Sequence, residues 1–84
     1  MLAKKQRVLL ARRLKAILGV PHPVACVAAK AIVRHTYPAQ VCRALGANTS
    51  PTAQAAYAAL LPHLRRQITP DGDSVSFWDF SLGL

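Results

Sequence analysis

Few side chains in this sequence are suited to chemistry, and their spacing argues against a catalytic centre. The three histidines, His22, His35 and His63, are too widely spaced for a short metal-ligand motif or a recognisable catalytic group. General acid–base catalysis usually needs a carboxylate or an oriented histidine, and no Asp or Glu occurs before Asp71. We therefore expect neither an enzyme nor a bound metal or other cofactor.

The two cysteines, Cys26 and Cys42, are expected to be structural. Two thiols cannot close a tetrahedral zinc site by themselves. A secretory signal is not expected either, because Arg12, Arg13 and Lys15 interrupt the apolar stretch near the start. The sequence thus predicts a cytoplasmic protein in which a disulfide is not expected and the two thiols are buried as small apolar groups.

The distribution of charge is the strongest signal of function. All 11 Lys and Arg residues lie between Lys4 and Arg66, whereas the three acids are Asp71, Asp73 and Asp79. Residues 1–66 therefore carry +11 and the remainder −3, which gives the net charge of +8. A strongly basic surface attracts polyanions, with an affinity that falls as salt rises. Nucleic acid is the expected partner, and the alternative is a basic surface that only keeps the protein soluble.

No membrane partner is expected. No run of apolar residues approaches the roughly 20 needed to cross a bilayer. The first helix is cationic and amphipathic, as are helices that lie on anionic lipid, but it has no aromatic anchor.

A mainly α fold of four short helices is expected to position these charges. The chain has 84 residues and is 52% hydrophobic, and its many alanines favour a single domain of closely packed helices. Prolines and glycines bound the predicted helices, which cover about residues 3–18, 23–34, 39–45 and 51–61. The second is the expected core helix. Pro62 either kinks the last helix or restarts it over His63–Gln67.

The C-terminal part is expected to be extended. Ser74–Trp78 alternates in the manner of a strand after a turn signal, which predicts a short extended segment or hairpin that acts as a wing or a dimer contact. The chain is thus divided into a basic helical body, 1–66, and an acidic, aromatic tail, 67–84, within the same domain.

A helix-turn-helix is outlined over about residues 38–61. A short helix reaches Leu45-Gly46, a polar turn follows, and Ser50 offers a hydroxyl cap before Pro51. Gly46 is expected to leave the first helix in a backbone conformation that other residues resist. The run AQVCRALGANTSPTAQAAYAAL, residues 39–60, resembles the helix-turn-helix of small bacterial and plasmid repressors of the KorA type. In that family a helix reading A-x-x-L-G precedes a Thr- or Ser-rich turn and a helix bearing Q-A.

The resemblance implies a transcriptional repressor that binds double-stranded DNA with the helix starting near Pro51 in the major groove; as a homodimer, it would read twofold half-sites. The base contacts expected from it are Asn48, Thr49, Ser50, Thr52, Gln54 and Tyr57. The expected phosphate contacts are Lys4, Lys5, Arg12, Arg43, Arg65 and Arg66. The alternative is that Thr49 and Ser50 only cap a helix and that Gln54 is an ordinary surface residue.

The apolar tail supports a second hypothesis. Its large side chains must be buried in the core, in a dimer or in a partner protein, and they are Phe77, Trp78, Phe80, Leu82 and Leu84. Residues 79–84 also resemble the peptides that dock onto the bacterial replication sliding clamp, with Asp79 in place of the usual Gln. The alternative function is therefore a small phage- or plasmid-type inhibitor or adaptor that binds a host protein, such as that clamp, through the tail.

Overall fold

The computed structural model describes residues 4–35 and 37–81, and the side chain of Lys4 lies outside this description. The elements are α1 (Lys4–Leu18), α2 (His22–Arg34), α3 (Pro38–Ala47), α4 (Pro51–Leu60), a 3₁₀ turn (Leu61–His63), β1 (Leu64–Ile68) and β2 (Ser74–Trp78). Four helices followed by a short antiparallel hairpin confirm the mainly helical fold predicted from the sequence.

Glycine and proline set the helix boundaries, as the sequence predicts. Gly19 ends α1 with a φ of +64°, and its N–H donates to the Lys15 carbonyl at 3.0 Å. This left-handed conformation is one that glycine adopts without steric cost. The helices α2, α3 and α4 each have a proline in their first two positions, where the missing N–H would have no helical partner.

The core is built around α2, which packs against α1, α3 and α4. Small side chains such as Ala25 and Ala28 are fully buried on α2, so the neighbouring helices approach closely. The larger apolar volume comes from Leu10, Leu14 and Leu60, all with no exposed surface. The prediction that the second helix forms the core is confirmed.

The predicted helical restart over His63–Gln67 is wrong. Only a 3₁₀ turn follows α4, and β1 then pairs with β2 in the register Leu64↔Trp78 to Ile68↔Ser74. The connecting turn closes with a hydrogen bond from the Thr69 N–H to the Asp73 carbonyl at 2.8 Å. Residues 64–68 form a strand because β2 supplies hydrogen-bond partners for their backbone. This pairing overrides a weak local preference for helix.

Two local expectations about the turn after α3 are also wrong. Gly46 has no left-handed backbone, because α3 continues through it to Ala47. A Cβ at this position would lie 3.4 Å from Cε1 of Tyr57, which is close to an ordinary van der Waals contact. Ser50 occupies the N-cap of α4 but makes no side-chain cap, and its N–H instead donates to Oδ1 of Asn48 at 2.9 Å.

The hairpin is attached to the helical body through α3. The Ala39 N–H, at the start of α3, donates to the Ser76 hydroxyl at 3.2 Å.

Among the described residues no single helix is long and apolar enough to cross a membrane, and α1 and α2 reach that length only when joined across a 118° bend.

Candidate nucleic-acid interface

The turn between α3 and α4 presents most of the predicted base-contacting residues to solvent. Asn48, Thr49 and Ser50 are exposed, and Thr52 in the first turn of α4 is half-buried. The hydrogen bond between Asn48 and the backbone of Ser50 fixes the shape of the turn. The turn is therefore polar, exposed and ordered by its own side chain.

Gln54 is exposed, but its side-chain amide is bonded to the backbone at the end of α3. Its Nε2 donates to the carbonyls of Asn48 at 2.6 Å and Gly46 at 3.1 Å, with the Leu45 carbonyl at 3.5 Å. The last carbonyls of a helix have no intrahelical partner, and Gln54 supplies one for the end of α3. The side chain predicted to read adenine thus connects α4 to α3.

Tyr57 faces the protein. It is half-buried, packs against the core cluster and covers Gly46. The outward face of α4 is left with small side chains, including the exposed Ala55 and Ala58, and α4 contains no charged residue. A helix with such a face can approach DNA closely and contact thymine methyl groups. It has no cationic side chain that could form an ion pair with a phosphate.

A basic groove lies directly beside the turn. Lys30 and Arg34 on α2 and His35 at its end line this groove together with Asn48. Both cations are exposed, and no carboxylate precedes Asp71 in the sequence. Sequence reasoning missed Lys30 and Arg34, although their i, i+4 spacing on one helix would have placed them together.

The predicted phosphate contacts are spread over separate surfaces. Lys5 and Arg12 are exposed on α1, while Arg43 lines a different groove between α3 and β2. Arg65 and Arg66 lie on β1, and the side chain of Lys4 is outside the described part of the chain. The structure therefore does not bring the five described side chains of this set together.

Arg65 is already engaged within the protein. Its Nη2 lies 2.9 Å from Oδ2 of Asp79, and its Nη1 donates to the Pro62 carbonyl at 2.8 Å. The other oxygen of Asp79 lies 2.8 Å from Nδ1 of His63. One carboxylate thus contacts both His63 and Arg65 near the base of the hairpin, which leaves Arg65 less available to a phosphate than Arg66.

The aromatic tail is divided between two faces of the hairpin. Trp78 and Phe80 pack against the core cluster and stack on each other, with ring centroids 5.6 Å apart and planes 14° apart. Phe77 and Val75 lie on the opposite face and are 44% and 48% exposed. Leu82 and Leu84 lie outside the described residues.

Asp79 and Phe80 belong to the peptide that resembles a clamp-docking motif, and both side chains make contacts within the protein. Phe80 also meets His63 edge to face, at a centroid distance of 5.2 Å. Two of the six residues of that peptide are therefore packed within the protein, whereas docking peptides of this kind need free side chains.

The two cysteines occupy different environments. Cys42 is buried as predicted, and burial raises the pKa of its thiol. The prediction that Cys26 is also buried is wrong, because its position on α2 faces solvent. Within the described part of the chain, no group of three or more His, Cys, Asp or Glu side chains is arranged to hold a metal ion.

Similarity to known proteins does not assign a family. Comparison of the chain with protein-family models, curated proteins and solved structures found no match. Function has to be inferred from the geometry and the charge described above.

Proposed function

We propose that this protein is a non-enzymatic DNA-binding protein that acts as a transcriptional repressor through α3, the following turn and α4. The observation that carries this proposal is the groove in which Lys30 and Arg34 lie beside Asn48. It combines cations suited to phosphates with an exposed polar turn suited to base edges.

In this proposal the turn and the start of α4 enter the major groove. Asn48, Thr49 and Thr52 reach the base edges, and the alanine face of α4 lies against thymine methyl groups. Gln54 acts indirectly, because it holds the turn in place through its hydrogen bonds to α3. As a dimer, the protein would place two such turns on half-sites roughly 34 Å apart.

Phosphate binding is assigned to the edge of α2 and not to the hairpin. Lys30 and Arg34 carry the contacts that fix the protein on the duplex, while the exposed cations of α1 contribute a long-range field. The tip of the hairpin is a poor phosphate contact, because Asp71 and Asp73 lie in its turn.

The test is a fluorescence-anisotropy titration with selected and random DNA duplexes at several salt concentrations. Lys30→Gln/Arg34→Gln is compared with Arg13→Gln/Lys15→Gln, which removes the same charge from α1, a helix that contributes no residue to the groove. We expect the first pair to weaken binding to every duplex and to lower the salt slope by about 0.9 for each lost phosphate contact. The second pair should leave the slope nearly unchanged.

Sequence reading is tested in the same titration with Asn48→Ala and Thr52→Ala. Each should reduce the preference for the selected duplex, by about 1–3 kcal/mol for a lost base contact, with little change on random DNA. Equal losses from both charge pairs, or equal binding to selected and random DNA, would show that the protein responds only to polyanion charge.

The second candidate function is binding to a host protein. It is favoured by the exposed apolar pair Val75 and Phe77 on the outer face of the hairpin. If this candidate is correct, a titration against purified sliding clamp or another partner should give a fixed ratio, and Phe77→Ser should abolish binding without affecting DNA affinity.

A further inference from the structure

A cleft between α1 and α2 contains the side chains best suited to nucleophilic chemistry. Cys26 follows His22 by one helical turn, and its Sγ lies 3.3 Å from Nε2 of the imidazole. Cys26 is also exposed. An imidazole at this distance can take the thiol proton, which gives the thiolate that acts as a nucleophile.

The remaining lining of the cleft points to an anionic ligand independently of the thiol. Arg7 and Lys30 line it from the two helices, and Val8, Ala11 and Ala29 provide apolar surface. Since no Asp or Glu precedes Asp71 in the sequence, neither helix supplies a carboxylate to neutralise these cations. Its volume of about 280 Å³ suits a small molecule, near the lower end of the usual range.

We propose that Cys26 is a modification site that exchanges with small anionic disulfides, the class to which glutathione disulfide belongs. His22 accepts the thiol proton, and the Cys26 thiolate attacks one sulfur of the disulfide. A new S–S bond forms to Cys26 as the disulfide bond breaks, and the departing thiolate takes the proton from His22. Cys26 is oxidised and the departing half is reduced, so no other oxidant is required.

Arg7 and Lys30 give this exchange its selectivity for anions. They attract a negatively charged reagent to the cleft. Cys42 provides an internal comparison, because it is only 4% exposed and lacks the cleft. Lys30 lines both this cleft and the groove assigned to DNA, but the exchange reaction is measured without DNA, so either proposal can fail without the other.

The test measures exchange rates of the folded, full-length protein with two reagents, dianionic dithiobis(nitrobenzoate) and neutral dithiodipyridine. Mass spectrometry after digestion locates the modified cysteine, and glutathione disulfide is then added as the physiological probe. We expect modification at Cys26 and not at Cys42. The local field should raise the exchange rate with the dianionic reagent, relative to the rate with the neutral reagent, by at least about tenfold. His22→Asn should slow both reagents.

Matched charge variants separate the cleft from the overall charge. Arg7→Gln/Lys30→Gln should remove the advantage of the dianionic reagent, while Arg13→Gln/Lys15→Gln should preserve it at the same net charge. Retention of the advantage in the first pair, or a Cys26 that reacts no faster than Cys42, would overturn the proposal. Circular dichroism of each variant verifies that the helices are intact.

Discussion

Helices α1 and α4 differ in charge and in packing. α1 packs chiefly against α2. Its described side chains include five exposed cations, which are Lys5, Arg7, Arg12, Arg13 and Lys15. α4 has no charge, packs against both α2 and α3, and buries Ala53, Ala56 and Leu60. Under the proposed function, attraction to a polyanion and precise placement of a reading surface would arise from different helices.

α4 is neutral along its whole length and exposes mainly small side chains. α2 packs against three helices and nevertheless carries Lys30 and Arg34 at its surface. A DNA-binding function for α4 therefore requires charge from its neighbours. Lys30 and Arg34 on α2 supply it beside the turn.

The largest effects should come from the buried leucines of these two helices. Leu14→Ala on α1 and Leu60→Ala on α4 each leave a cavity at a fully buried position, and each should lower the free energy of unfolding by about 2–5 kcal/mol. Urea unfolding measures the loss.

Amide hydrogen exchange should then distinguish the two variants. Leu14→Ala should increase exchange first within α1, because α1 packs chiefly against one neighbour. Leu60→Ala should increase it across α2, α3 and α4 together. Identical exchange patterns would contradict the difference in packing between α1 and α4.

The same distinction explains how much of the fold the sequence predicts. The helices follow from local signals, namely prolines near the starts and the glycine at 19, and β2 follows from its alternation over Ser74–Trp78. β1 could not be predicted in this way, because its hydrogen-bond partners lie on β2, about ten residues further along the chain.

The candidate site was predicted less well, for a related reason. The polar turn at Asn48 is a local feature and is exposed as expected. The role of Gln54 depends on the carbonyls at the end of α3, and the groove of Lys30 and Arg34 depends on how α2 packs beside α3. Such contacts between helices cannot be read from the periodicity of a single sequence.

Two glycines provide the next test, one at the end of α1 and one beneath α4. Gly19→Ala places a Cβ in a left-handed conformation and should lower the unfolding free energy by about 1–2 kcal/mol. Gly46→Ala is the matched control: its backbone is helical, and the new Cβ would lie 3.4 Å from the Tyr57 ring. We expect it to be neutral or stabilising by up to about 1 kcal/mol, as glycine is unfavourable within a helix.

Thermal and urea unfolding of both glycine variants measure these changes. A large loss of unfolding free energy in Gly46→Ala would show that Tyr57 cannot shift to accept the new Cβ. α4 would then be held rigidly against α3, although a contact of 3.4 Å does not by itself require this. A neutral Gly19→Ala would show that α1 can end without its left-handed residue.

The smallest expected effect concerns Gln54, the side chain that joins α4 to α3. Gln54→Ala removes the donor to the carbonyls of Gly46 and Asn48 and should lower the unfolding free energy by about 0.5–1.5 kcal/mol. Gln40→Ala is the matched control, an exposed glutamine on α3 that undergoes the same change in side chain. The difference between the two variants isolates the contact of Gln54 from helix propensity.

DNA titration of Gln54→Ala then separates positioning from base reading. If Gln54 only positions the turn, Gln54→Ala should lower the preference for the selected duplex but add no further loss in an Asn48→Ala/Thr52→Ala background, because it acts through those side chains. If Gln54→Ala lowers the preference further in that background, Gln54 must leave the end of α3 and contact a base. The free and bound proteins would then differ at this side chain, and α4 would read DNA at the expense of its own contact with α3.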